Sequence, residues 1–153
     1  MTRRPPASVW IAVTALCVVT AFQIVLALVF ARPGQIGWGM YAFAGLLWAL
    51  LVSGLLRGSR LAWLWGRYLG LVLGGVLTGA LLFAAFRREL GVAVASAALL
   101  GMAAPLFVTV LALGRRSAYA FFDLVCPVCA ARTGLAADMM FRRARCRSCQ
   151  NVW

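Results

Sequence analysis

The sequence predicts an all-α membrane protein, a four-helix transmembrane bundle followed by a small cysteine-paired module at the C-terminus. Three observations predict it. Of 153 residues, 65% are hydrophobic and 12% charged, against roughly 45–50% and about 25% in soluble domains. Four apolar runs are long enough to cross a hydrocarbon layer of roughly 30 Å, which takes about 20 helical residues. Four of the five cysteines fall in two close pairs near the end of the chain. A soluble domain of this size lacks the interior to hide so much apolar surface, whereas a bilayer accepts it on the outside.

The first run covers residues 8–30. Pro5 and Pro6 precede it, and Arg32-Pro33-Gly34 ends it by interrupting helical hydrogen bonding. Arg3, Arg4 and the stretch Val29-Phe30-Ala31 loosely resemble a cleaved signal peptide, but the run exceeds the roughly 7–15-residue apolar core of such a peptide. The second run, residues 38–56, lies between Gly37 and Arg57-Gly58-Ser59-Arg60. The third, residues 65–86, is entered through Trp63, Trp65, Arg67 and Tyr68, aromatic and basic anchors of the headgroup level, with Arg67 free to snorkel outward. Arg87-Arg88-Glu89 leads to the fourth, residues 92–113, where Pro105 is expected to kink the helix. None of the runs shows the roughly ten-residue alternation of barrel strands, so helices are the assignment that satisfies the backbone in lipid.

All 15 basic residues are arginines, and the net charge of +12 sits at chain ends and connections. With four spans both termini share a side. An inside N-terminus puts Arg3, Arg4, Arg57, Arg60, Arg67, Arg115 and Arg116 there and leaves Arg32, Arg87 and Arg88 opposite. The positive-inside rule therefore predicts cytoplasmic N- and C-termini in a bacterial cytoplasmic membrane, with the arginines touching anionic headgroups.

Small residues mark the packing faces. Gly66, Gly70 and Gly74, then Gly75 and Gly79, repeat a small-xxx-small pattern along the third span, which lets helix backbones approach closely. Gly45, Ala49 and Ser53 in the second span and Ala93, Ala97 and Gly101 in the fourth are candidate mates. Packing within one bundle is the preferred reading, and a homo-oligomer through the third helix is the alternative. Gln23 is expected to make an interhelical hydrogen bond rather than to line a substrate path, since no acid or base occupies a span centre. With no histidine and only Glu89, Asp123 and Asp138 as acids, general acid/base and triad chemistry lack material, and no enzyme is predicted. Cys17, alone in the first span, reads as a small hydrophobe.

Residues 115–125 form an interfacial linker carrying Tyr119, Phe121 and Phe122. Beyond it lie Cys126-Pro127-Val128-Cys129 and Cys146-Arg147-Ser148-Cys149, with sixteen residues between the pairs. Two pairs of thiolates meeting across a hairpin complete a tetrahedral site, and this spacing is a zinc signature. Two disulfides are the alternative in an oxidising compartment, but the predicted side is the reducing cytosol. So short a segment cannot build a core, and its fold should depend on the ion.

The tail, residues 126–153, resembles the short bacterial and archaeal zinc-ribbon domain. The likeness rests on Cys126-Pro127-Val128-Cys129, on Arg145-Cys146-Arg147-Ser148-Cys149 and, after Gln150-Asn151-Val152, on Trp153. Many ribbons carry glycine after a knuckle, where this chain has Ala130 and Gln150. The resemblance implies a structural zinc β-hairpin attached to varied partners, and no particular activity. Zinc bound by Cys126, Cys129, Cys146 and Cys149 is expected to be structural, because four thiolates leave no open coordination position. Rubredoxin-like iron fits the same ligands and would imply electron transfer; it is the lesser alternative.

Arg142, Arg143, Arg145 and Arg147 surround the second cysteine pair beside Trp153. So close to the membrane, headgroup contact or solvation is preferred over nucleic acid for this cluster. The functional expectation is a membrane protein whose cytosolic ribbon docks or assembles an unidentified protein partner. A redox membrane protein, or a small transporter or channel subunit, is the alternative.

Overall fold

The structure, a computed structural model, describes residues 4–30, 37–87, 92–131, 145–146 and 148–152. It is mostly helical. Helix α1 spans Ala7–Phe30, α2 Gly37–Leu56 and α3 Arg60–Phe86. The fourth rod is composite: α4 (Val92–Ala98), a π-helical turn (Leu99–Ala103) and α5 (Ala104–Leu113). A short α6, Arg116–Phe121, follows. Among the described residues there is no strand, and Arg145 and Val152 form an antiparallel bridge. The rest of the expected hairpin, residues 132–144, lies outside the described residues.

Three helical stretches, Ala7–Val25, Arg60–Phe86 and Ser96–Leu113, are long and apolar enough to cross a membrane among the described residues. In α2 the corresponding apolar stretch, Phe43–Leu56, is shorter. α3 begins at Arg60 rather than near residue 65, because Ser59 caps it: its hydroxyl accepts from the Ala62 backbone N–H at 3.4 Å.

The rods form a closed ring in which α1 packs on α2, α2 on α3, α3 on α5 and α5 back on α1. Along α1, Val9, Ala12, Val13, Leu16 and Val19 are buried, a helical stripe that turns one face inward. Large apolar side chains also point outward, such as Leu28, Val76 and Leu111 at 67%, 63% and 71% exposure. Water would penalise that surface, and lipid does not.

Glycines set the tightest contact. A Cβ on Gly66 would stand 3.0 Å from Leu113, one on Gly70 2.8 Å from Val110 Cγ2 and 3.1 Å from the Leu106 carbonyl, and one on Gly74 3.3 Å from Phe107. This face of α3 therefore lies directly on α5. Gly75 and Gly79 face elsewhere, with nothing within 4 Å of an added Cβ. Gly101 meets α1, where a Cβ would come within 2.5 Å of the Phe22 ring.

Pro105 does not break the fourth rod. The π-turn just before it widens the backbone, with the Ala104 N–H reaching Leu99 O, so the proline ring is accommodated where a regular turn would clash with a carbonyl four residues back. Polar groups inside the rods are satisfied locally. The hydroxyls of Thr20, Thr78 and Thr109 donate to carbonyls one turn back, and Trp48 Nε1 donates to Gln23 Oε1 at 3.1 Å across α2 and α1.

Candidate metal centre

The linker is a folded part of the bundle end. α6 stops in a turn where the Leu124 N–H reaches Tyr119 O and Asp123 N–H reaches Ala120 O, with Asp123 at φ +52°. This helix stop normally uses glycine, and aspartate tolerates it better than most residues. The turn drives Ala118, Phe122 and Leu124 into the core. Ser8 and Ser117 hydroxyls pair at 2.9 Å, tying α1 to α6. The α2–α3 turn reaches the same place, since a Cβ added at Gly58, at φ +74°, would meet the Phe121 ring at 3.5 Å.

Trp63 joins the two levels. Its Nε1 donates to Leu113 O at 2.9 Å, satisfying a carbonyl that α5 leaves open at its end. Its ring meets Tyr119 edge to face at 5.1 Å. Arg67 lies over the same ring at 5.2 Å and donates to Tyr119 Oη at 2.7 Å. The arginine thus reaches from α3 to α6, toward the end of the bundle.

Two residues after buried Leu124 the first cysteine appears. The two cysteine pairs are built alike. In each, the first cysteine's N–H reaches a carbonyl five residues on, Cys126 to Ala131 at 2.9 Å and Cys146 to Asn151 at 2.8 Å. Its carbonyl accepts from the residue four on, Ala130 at 3.0 Å and Gln150 at 2.9 Å. Both acceptor turns need left-handed backbone, with φ +56° at Ala130 and +60° at Gln150. Cys126 and Cys146 are buried, while Cys129 and Cys149 are exposed.

The four sulfurs all lie within 4.8 Å of one another. The close pairs cross between the turns, Cys126 with Cys149 at 3.5 Å and Cys129 with Cys146 at 3.4 Å. A disulfide would need about 2.04 Å, so these are free thiols. Tetrahedral metal–sulfur bonds of about 2.3 Å put the sulfurs about 3.8 Å apart, a value inside the observed spread. The four cysteines can hold a metal ion.

Backbone N–H groups prepare the cluster for charge. The Cys149 N–H is the strongest influence on Cys146, and with the Cys129 thiol and Ser148 N–H it outweighs burial and lowers that thiol to about 6. At Cys126 burial is the largest influence and opposes ionisation, but N–H groups of Cys129 and Val128 and the neighbouring thiols carry it downward. Cys129 and Cys149 move the other way. The Ala131 N–H pulls Cys129 down and the Asn151 N–H pulls Cys149 down, yet the Cys146 thiol and burial outweigh the first, and burial with the three neighbouring cysteines outweighs the second, so that Cys149 is pushed up to about 12. Each close pair thus joins a thiol shifted toward ionisation to one shifted away from it. A cation held between them would displace the thiol protons.

Of the arginines singled out in the tail, Arg145 is exposed and flanks Cys146 through its bridge to Val152. Arg142, Arg143 and Arg147, like Trp153, lie outside the described residues. A cavity of about 380 Å³ between α6 and the first cysteine turn is lined by Arg116, Tyr119, Val125 and Ala130. The tie from Arg67 to Tyr119 was not foreseen from sequence, where only the aromatic and basic composition of both segments hinted at it.

No protein-family model, curated protein or solved structure matches the chain.

Proposed function

We propose that the chain is a non-enzymatic integral membrane protein of four spans, whose C-terminal module is a structural zinc ribbon that docks or assembles a protein partner. The single observation that carries the reading is the set of four converging sulfurs, which begins two residues beyond a leucine buried in the bundle. An all-cysteine sphere favours zinc in a closed structural role and leaves no position for a reacting water. A metal-stabilised module fixed to a membrane anchor presents a surface to the compartment beside it. The arginine count favours the cytoplasm for that compartment. Transport is less well supported, because Gln23 and the threonines at 20, 78 and 109 already spend their hydrogen bonds inside the bundle.

The test is purification of the full chain in mild detergent, with and without Cys146→Ser. One zinc per chain in a colourless sample, and a specific co-purifying protein lost in the variant, is the expected result. A red sample carrying iron would replace docking with electron transfer. An identical set of partners for both forms would remove the docking role.

A further inference from the structure

The two sulfur contacts that cross between the cysteine turns each join an exposed thiol to a buried one. Cys149 meets Cys126 at 3.5 Å, and Cys129 meets Cys146 at 3.4 Å. Cys126 and Cys146 are 1% and 2% exposed, whereas Cys129 and Cys149 lie open to the surroundings. A solute at least as large as water therefore reaches one sulfur of each contact and not the other.

We propose that Cys129 and Cys149 are sites of oxidation by hydrogen peroxide, and that each is resolved by the buried cysteine it touches. The products are disulfides Cys129–Cys146 and Cys126–Cys149 and a released metal ion. The inference rests on the metal reading above and concerns the regulation of that same site. All four sulfurs are thiolates while they hold an ion, so exposure is what separates them. The exposed thiolate attacks one peroxide oxygen, the O–O bond breaks, and the hydroxide that leaves takes a proton from solvent. The buried thiolate then attacks the sulfenic sulfur. The S–S bond forms, the S–O bond breaks, and a second hydroxide leaves and is protonated. Each disulfide thus draws two electrons from two thiolates and reduces one hydrogen peroxide to two waters. Zinc has no redox chemistry of its own and leaves as the divalent ion once its ligands are spent. To reach the disulfide length of about 2.04 Å, each contact closes by about 1.4 Å. The two bonds are nested, Cys129–Cys146 inside Cys126–Cys149, so they hold the turns face to face after the ion has gone. The backbone bonds that shape the turns, from Cys126 N–H to Ala131 O and from Cys146 N–H to Asn151 O, involve no sulfur. The oxidised tail therefore keeps its turns, and a thiol reductant with fresh zinc restores the site.

The test treats the zinc-loaded full chain, in mild detergent, with hydrogen peroxide beside a chromophoric zinc indicator. Cys17→Ala leaves the four clustered cysteines as the only thiols. After alkylation the protein is digested with trypsin without reduction. Arg132, Arg142, Arg143 and Arg145 part the first cysteine pair from the second, and Arg147 parts Cys146 from Cys149. Release of about one zinc for every two peroxides consumed is expected. The peptide carrying Cys126 and Cys129 should be linked to both of the others, and its fragmentation between those two residues should assign Cys126 to Cys149 and Cys129 to Cys146. With less than about one peroxide per chain, dimedone should label Cys129 and Cys149 at least about tenfold more than Cys126 and Cys146. Disulfides within each pair, a Cys126–Cys146 bond, equal labelling of the four, or zinc retained through excess peroxide overturns the proposal. A reduced chain that takes up no zinc sinks the metal reading itself, whereas zinc bound and then lost with a different pairing sinks only the proposed oxidation.

Discussion

Ala130 and Gln150 adopt left-handed backbone, at φ +56° and +60°, directly after the second cysteine of each pair. An ordinary L-residue loses roughly 1–2 kcal/mol there, and glycine would recover most of it against its own greater freedom in the unfolded chain. Ala130→Gly is therefore expected to tighten metal binding by about 0.5–1 kcal/mol, a factor of about two to five, read by competition with a chromophoric chelator. Ala130→Val should weaken it, since a β-branched side chain tolerates this conformation least. The clustering of the four cysteines was legible in sequence, because their paired spacing is the one a shared ion requires. The turn conformation was not, because neither alanine nor glutamine favours positive φ. It is imposed by the paired hydrogen bonds through which Cys126 and Cys146 close their turns. The opposite shifts of Cys146 and Cys149 were likewise invisible, since backbone N–H groups lower both and the difference comes from how burial and the neighbouring thiols add to them.

At the scale of elements, helices were readable from length and apolar run, and among the described residues three of them are long and apolar enough to cross a membrane. Which face of each helix turns inward was not readable. A helix that is apolar on every side carries no contrast for a periodicity to reveal, and Gly66, Gly70 and Gly74 read no differently from Gly75 and Gly79. Geometry separates them. Gly70→Leu must push against Val110 and the Leu106 carbonyl, and a backbone atom of α5 cannot rotate away. A loss of about 1–3 kcal/mol is expected, seen as a lower melting temperature in detergent. Gly75→Leu should stay within about 0.5 kcal/mol of wild type, because its side chain enters open space. Adding Val110→Ala to Gly70→Leu should restore only part of the loss, since it clears the methyl and not the carbonyl. The π-turn before Pro105 belongs to the same scale. Proline announced an irregularity, but whether the rod would bend or widen depended on the neighbours packed around Leu99–Ala103.

The molecule as a whole joins two parts held together by different physics. The bundle rests on helix contacts that involve no metal, whereas the tail beyond Val125 is too short to bury a core and, on the function proposed above, depends on ligation. Their junction is α6, with Phe122 and Leu124 buried against the helices and Tyr119 tied to Arg67. Grouping the arginines of the N-terminus, the α2–α3 turn and residues 115–116 on one side came from counting spans. The contacts from Ser8 to Ser117 and from Gly58 to Phe121 join those segments at one end of the bundle. If the two parts are energetically separate, removing the ion should unfold one and spare the other. With a strong chelator, trypsin should cut between the two cysteine pairs, where Arg132, Arg142 and Arg143 lie in the sequence, at least about tenfold faster than in the metal-loaded protein. The membrane fragment should persist and its melting temperature should move by less than about 3 °C, because a change confined to the tail alters few of the contacts that set it. Loss of the whole chain at a single rate would mean that α6 transmits unfolding inward, and that metal and bundle form one cooperative unit.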